Sequence, residues 1–532
     1  MIGSTIMKRN VVVIKKLFWV FLYITLTQSA LYYVDQAHPQ ASDSNPGTES
    51  QPWLTIQYAA DTAHAGDTVI VKEGTYKERI HFGAGHTGMK DSPIVFKGEP
   101  RRSVTMWGFY TRNCSYLRIE GFSVIGDTSL TDWTDGGGVF VYSDFVEVVD
   151  NYFFEIGIGI RSYWHEPYPK GGYVADNRMY RCQFGITING VDWVIERNEV
   201  ERLVFSGSGD ADYSRLFGEN IIFRKNHFHG SRVDEIGAAH VDCWQTFTNN
   251  GEYLRNVIIE ANICEQCHQG LMASNVDTTD CHDIIFRNNI FHDCWAWGLC
   301  IYDISNFTVE NNSFVNIKYH AAGFNGNSKG NIVRNNIFYN ANSGYWAKDG
   351  GEVTGDYNLL FNTTDGTPAP HNILDTDPLF VDTANDDFRL QSHSPAIDTG
   401  MALTGFTTDI IGTTRPQGDG WDIGAYEYNG NIGTIFSNHF LHDYRNGFQV
   451  KITASGVRFS FPLPDEGMGC QFISIYDLSG RRIIRLPVKI SNSIYTAFWD
   501  GKNRVARCAP GYYIARLENI EKVVKQSFVL IP

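Results

Sequence analysis

A short phrase recurs along the middle of this chain: alternating apolar residues run into an asparagine, and the pattern then begins again. It reads VEVVDNYF, YVADNRMY, DWVIERNEV, NIIFRKNHF, NVIIEANIC, DIIFRNNIF, NFTVENNSF, NIVRNNIFY and GDYNLL. With Asn151, Asn177, Asn198, Asn226, Asn262, Asn289, Asn312, Asn336 and Asn358 as markers, successive spacings are 26, 21, 28, 36, 27, 23, 24 and 22 residues. Self-similarity on this length scale marks a solenoid, and period-two alternation inside each unit makes the units strands. No unit can bury its apolar face alone, so Ile, Val and Phe of successive rungs must stack into one narrow interior while alternate residues point out. Asparagine suits the repeated position because it tolerates left-handed backbone at a sharp bend. Its amide can also bond to the asparagine one rung above and below. The expected architecture is a right-handed parallel β-helix.

Composition agrees with this reading and narrows the partners. The 532 residues are 43% apolar, 19% charged and 14% aromatic, with 51 glycines, which favours turn-rich β structure and excludes collagen, coiled coil and a multi-span membrane protein. The net charge of −15 is uneven: residues 1–30 hold four cations and no acids, residues 434–532 hold 13 Lys/Arg against 7 Asp/Glu, and 31–433 are left at −25. A body that acidic repels nucleic acid and anionic lipid. A polyanionic substrate would need a bridging cation such as Ca2+.

Residues 1–30 read as an export signal, with cations at 8–16, the apolar run LFWVFLYITLT at 17–27 and small residues Ser29 and Ala30. The segment 53–65, WLTIQYAADTAHA, carries helical apolar spacing at Trp53, Ile56, Ala59 and Ala60 and would cap the open end of the first rung. YYVDQ, SNPGTESQPWLTIQYAAD and AGDTVIVKEGTYKERIHF resemble the opening of pectin-lyase-fold secreted proteins, a resemblance spanning roughly residues 32–350. DPLFVDTANDDFRLQSHSPAIDTG and TTRPQGDGWDIGAYEY, within 377–428, resemble the closing segment of bacterial surface β-helices of the choice-of-anchor type. ISIYDLSGRRIIRL, FWDGKNRVARCAPGYYIARL and VVKQSFVLIP resemble the C-terminal sorting domain of type IX secretion and the Ig-like domain of flagellar hook-capping proteins. Read from its residues, 434–532 is about six alternating strands split by the turn signals SG, DGKN and PG, enough for a separate small β-sandwich. The expected organisation is a signal peptide at 1–30, a capped β-helix at 31–376, a closing segment at 377–433 and the sandwich at 434–532. The resemblances imply an exported or cell-surface product that meets secretion machinery through its C-terminal domain. It is expected to act as a monomer.

A second strand follows each asparagine by eight to ten residues, in GIRSYW, GITING, HVDCWQTF, GLMASN, GLCIYD, AGFNG and GYWAKD. Alternation assigns every second residue outward, to one shared face carrying Arg161, Tyr163, Thr187, Asn189, His240, Asp242, Trp244, Met272, Ser274, Tyr302, Trp346 and Lys348. Aromatics interleaved with His, Asp and Arg suit a chain of sugar rings, which stack on CH faces while their hydroxyls need polar partners. The richest rung is HVDCWQTF, where His240 and Asp242 lie roughly 7 Å apart along one strand and can serve as acid or base. Asp210 and Asp212, in the irregular stretch VERLVFSGSGDADYSRLFGEN, would fall one rung below Asp242. A carboxylate pair about 4.8 Å to two rungs apart fits retaining or inverting hydrolysis, or Ca2+ chelation.

CEQCH at 264–268 matches the haem attachment pattern. Cys264 and Cys267 nevertheless fall inside a regular rung with no haem-sized pocket near them, so no haem is expected. The reading is a carbohydrate-active protein that binds an extended polysaccharide and cleaves it by β-elimination or hydrolysis. His240 and Asp242 are its acid/base candidates, Asp212 its second carboxylate and Arg161 its charge partner. Trp244, Tyr163 and Tyr302 are expected to stack on sugars, and Gln245 and His268 to bond hydroxyls. No metal ligands are assigned. The rival reading is a non-catalytic surface adhesin or glycan-binding scaffold, separated from the first by whether these residues share one face and whether the carboxylates lie close together.

Overall fold

The structure, a computed structural model, describes residues 29–125, 138–204, 210–249, 251–273, 280–364 and 369–430, together with strands between 449 and 530. Most of the expected export signal, Ser206, Ser208 and Ser274 lie outside the described residues.

The described residues between 31 and 374 wind into a parallel β-solenoid whose coils contribute strands to three faces. The first face includes Val146–Val149, Tyr173–Ala175 and Val194–Glu196; the second Tyr152–Phe154, Arg178–Tyr180 and Glu199–Glu201; the third Ile158–Ser162, Phe184–Val191 and Asp242–Thr246. Register keeps like residues over like. Ile195, Phe223, Ile259, Phe286 and Val309 form one inward column, and the rings of Phe291, Phe314 and Phe338 stack at 4.8 and 5.2 Å. Each such side chain contributes about 1.5–3 kcal/mol by burial, and none could do so without its neighbours.

The asparagines form the expected ladder. From Asn151 through Asn358, each backbone N–H and side-chain amide donates to Oδ1 of the asparagine on the next rung, and Asn372 adds a tenth member. One detail differs from expectation. The left-handed residue is the one before each ladder asparagine: Asp150, Asp176, Arg197, Lys225, Ala261, Asn288, Asn311, Asn335 and Tyr357 all have φ between 52° and 60°. The asparagine is selected for its amide, and the bend is taken by whatever precedes it.

At the start, Ile56–Ala60 forms one short helix whose N-terminus is capped by Thr55, and Ile56, Ala59 and Ala60 close over the first rung. The 377–428 segment lies along the second face. Phe380, Phe388, Leu390, Ile410 and Ile423 pack on an outward apolar column of Ile263, Ile290, Ile337 and Leu359. It is locked by Arg415, fully buried, which bonds Glu427, the carbonyls of Asp422 and Gly424, and Asn288 of the solenoid. Beyond it, the described residues between 449 and 530 form two four-stranded antiparallel sheets, eight strands where about six were expected.

Candidate functional site

The third face carries two outward columns. One runs Phe140, Arg161, Thr187, Arg215, Gln245, Met272, Cys300, Gly323 and Trp346 in direct register, a wall of about 40 Å at 4.8 Å per rung. The other contains Asp242, Gln269 and Trp297, but Asp242, expected to face solvent, is fully buried, and Gln269 is buried beside it. These columns are three residues apart along each strand, not two, so two consecutive residues face inward between them. That step overturns one expectation. Trp244 is fully buried, edge-on to Phe223, Phe228, Phe286 and Phe291, and Cys243 beside it is disulfide-bonded to Cys264 in the interior. Trp244 is a core residue and touches no sugar. Simple alternation could not reveal this, because the extra inward position is an irregularity of the strand rather than a property of its composition.

Asp212 and Asp242 do come together across adjacent rungs. The backbone N–H of Asp242 donates to Asp212 Oδ1 at 3.2 Å, and that of Tyr213 to the Asp242 carbonyl at 2.9 Å. Gln245, expected to meet hydroxyls, spans the acids: its Nε2 lies 3.3 Å from Asp242 Oδ2 and 3.4 Å from Asp210 Oδ2. The key residue not picked out from the sequence is Arg215. Its guanidinium bonds Asp212 Oδ2 at 2.7 Å and Asp210 Oδ2 at 3.2 Å, between the rings of Phe184 and Phe247. The signal was present in DADYSR, where Arg215 stands three residues after Asp212, the same step that separates Asp242 from Gln245.

The two carboxyl groups differ in environment. Burial raises Asp212 to about 6, with Arg215 opposing the rise. Burial and the negative charges of Asp212 and Asp210 push Asp242 well above the carboxylate range, with Arg215 only partly opposing. Oδ1 of Asp242, Oε1 of Gln245 and Oε1 of Gln269 are buried acceptors without a donor among the described residues, so this pocket has room for a proton, a ligand donor or a hard cation such as Ca2+.

The other predicted residues surround this cluster without joining it. His240 is exposed and stacks on His268, ring centroids 5.4 Å apart, and His268 in turn meets the edge of Trp295. Burial and the neighbouring His240 lower the His268 pKa, keeping that imidazole neutral. Arg161 lies two rungs below Arg215 on the same column, over the rings of Trp164 and Phe140. Tyr163 is 38% exposed and packs edge-on to Tyr142. Tyr302 is half-buried at the end of Trp297–Tyr302. Above the acids, Trp297, His320 and Trp346 form a second aromatic patch with centroids 4.6–6.0 Å apart. Alongside, an open groove of about 880 Å³ is lined by Trp295, Lys318, the half-buried Asn340 and the exposed Asn316 and Asn342. Cys264 and Cys267 of CEQCH both face the interior.

Comparison with known proteins places the fold and leaves the chemistry to the site. The family model described as "Right handed beta helix region" matches residues 168–338 and 250–367. The uncharacterized protein YwoF of Bacillus subtilis (strain 168) is 24% identical over 443 residues, covering 67% of this chain and 91% of that protein. Among solved structures, pectate lyase Pel9A is 16% identical with a TM-score of 0.45, over 76% of this chain and 98% of that one. The GH136 lacto-N-biosidase from Eubacterium ramulus is 13% identical with a TM-score of 0.40, over 62% and 68%. The PL6 family alginate lyase AlyGC is 16% identical with a TM-score of 0.44, over 63% and 54%. At these identities the likeness is one of fold alone.

Proposed function

We propose that this is an exported protein that binds an extended polysaccharide along the third face of the solenoid and cleaves it at the Asp210–Asp212–Asp242 cluster by hydrolysis. The observation that carries the reading is the meeting of two buried carboxyl groups from adjacent rungs, Asp212 bonded to Arg215 and Asp242 bonded to Gln245. Neighbouring carboxyl groups in unlike surroundings are how a site supplies an acid and a base at one pH. Asp242 is assigned as the proton donor and Asp212 as the second carboxylate, and Gln245 spans Asp242 and the 40%-exposed Asp210 where a sugar would enter. The aromatic groups around Tyr142 and Tyr163 below, and Trp297 and Trp346 above, would hold the sugar chain on either side. His240 and His268 flank the same wall as hydroxyl partners.

A second reading, glycan binding without cleavage, is favoured by the complete burial of Asp212 and Asp242, neither of which reaches the surface in this arrangement. One experiment separates the two. Purified full-length protein is incubated with a polysaccharide panel, with and without chelator, while reducing ends and unsaturated-product absorbance are followed. New reducing ends without unsaturated product, lost in Asp242→Asn, support hydrolysis. Unsaturated product would move the reading to elimination, with Arg161 and Arg215 facing a uronate. Binding with no product would make this a scaffold.

Export rests on the pattern of residues 1–30; no described helix is long and apolar enough to cross a membrane. The sandwich is proposed as a secretion address. Deleting 434–532 is expected to leave the solenoid folded and alter secretion or surface retention, and unchanged localisation would discard that role.

A further inference from the structure

A second polar cluster lies on the second face of the same rungs. Register places Glu199 beside His227 and Glu201 beside His229, while Ile263 and Cys264, just before Glu265, continue the next rung. The imidazoles of His227 and His229 stack with centroids 4.0 Å apart and planes 16° from parallel. His229 Nε2 is 3.0 Å from Glu199 Oε1, and His227 Nε2 is 2.7 Å from Glu265 Oε1.

We propose that Glu199, His227 and His229, completed by Glu265, bind a borderline divalent cation such as Zn2+. One ligand atom from each of Glu199, His227 and His229 lies within 4.8 Å of the others. Bonds of about 2.0–2.2 Å in a tetrahedron separate ligand atoms by roughly 3.4 Å, so small side-chain rotations close the site. Imidazole nitrogen with carboxylate oxygen is a donor set for Zn2+ rather than for the hard, oxygen-seeking Ca2+.

The surroundings orient these ligands. Arg178 sits 3.3 Å from the other oxygen of Glu199, which leaves Oε1 to the histidine, and Arg178 is itself shared with Glu201. The second oxygen of Glu265 faces His292 at 3.4 Å, and His292 is held by Asp293. Outer partners of this kind set ligand direction in metal sites. Side-chain exposures of 18% for Glu199, 12% for Glu265, 11% for His227 and 9% for His229 leave the site sheltered yet reachable from solvent.

The ion would tie three successive rungs together where the column changes from charged to apolar and the 377–428 segment begins to cover it. Glu265 follows Cys264, whose disulfide runs to Cys243 beside Asp242, so the brace would stiffen the back of the rung that carries the candidate acid. This inference is independent of the proposed glycan activity.

The test uses full-length protein stripped with chelator and titrated with Zn2+, read by calorimetry and elemental analysis. One Zn2+ per chain is expected, lost in the His227→Gln/His229→Gln double variant and kept in Cys267→Ser/Cys294→Ser. Glu265→Gln is expected to weaken binding about 10- to 100-fold. As a check that needs no variant, the Co2+ form of the unaltered protein should show d–d absorption without a thiolate-to-metal charge-transfer band. Absence of stoichiometric binding, its survival in the histidine double variant, its loss in the cysteine variant, or a thiolate band would each overturn the assignment.

Discussion

Asp242 donates its backbone N–H to the carboxylate of Asp212, 30 residues earlier in the chain, at 3.2 Å. Two acids distant in sequence thus share one pocket, and the protein bears the cost of keeping them there.

That cost has a sign that can be worked out. In the unfolded chain an aspartate ionises near pH 4, whereas burial raises folded Asp212 to about 6 and pushes folded Asp242 well above the usual carboxylate range. Between those values the folded state binds more protons, so stability from this pair is full below pH 4 and is lost as pH rises. Asp242→Asn should therefore raise Tm at pH 8, leave it nearly unchanged at pH 4, and abolish cleavage. Thermal melts at the two pH values check the first half, and a variant less stable at pH 8 would contradict it.

The two kinds of tryptophan should part company. Trp297→Ala or Trp346→Ala is expected to weaken binding of the cleaved glycan about three- to tenfold with little change in Tm, as loss of one stacking partner does. Trp244→Ala should cost about 3–5 kcal/mol of stability by opening a cavity. Affinity electrophoresis alongside denaturant titration distinguishes them.

Asn262 bonds to both neighbouring ladder asparagines and to the Phe223 carbonyl. Asn262→Ala leaves several buried groups unpaired and should cost at least about 2 kcal/mol, measurable as a lower denaturant midpoint.

Arg415→Ala should cost about 3–5 kcal/mol, because Glu427 would remain buried without its partner. Its mark should be local, with protease cutting within 377–428 while the solenoid survives.

The solenoid could be read directly from the chain because alternation and a repeated asparagine are local properties that every rung must satisfy alike. Asp212 and Asp242 were likewise within reach, since counting rungs by their asparagines places them one above the other. What counting missed depends on the path of the backbone within a rung. A three-residue step sends Cys243 and Trp244 inward together, and it sets Arg215 and Gln245 beside the acids. The alternation rule contains no such step. The second face escaped notice for a related reason: His227, Glu265 and His292 belong to different rungs and Phe388 to a segment folded back over them, and only packing in three dimensions sets His227 against Glu265 and His292 against Phe388.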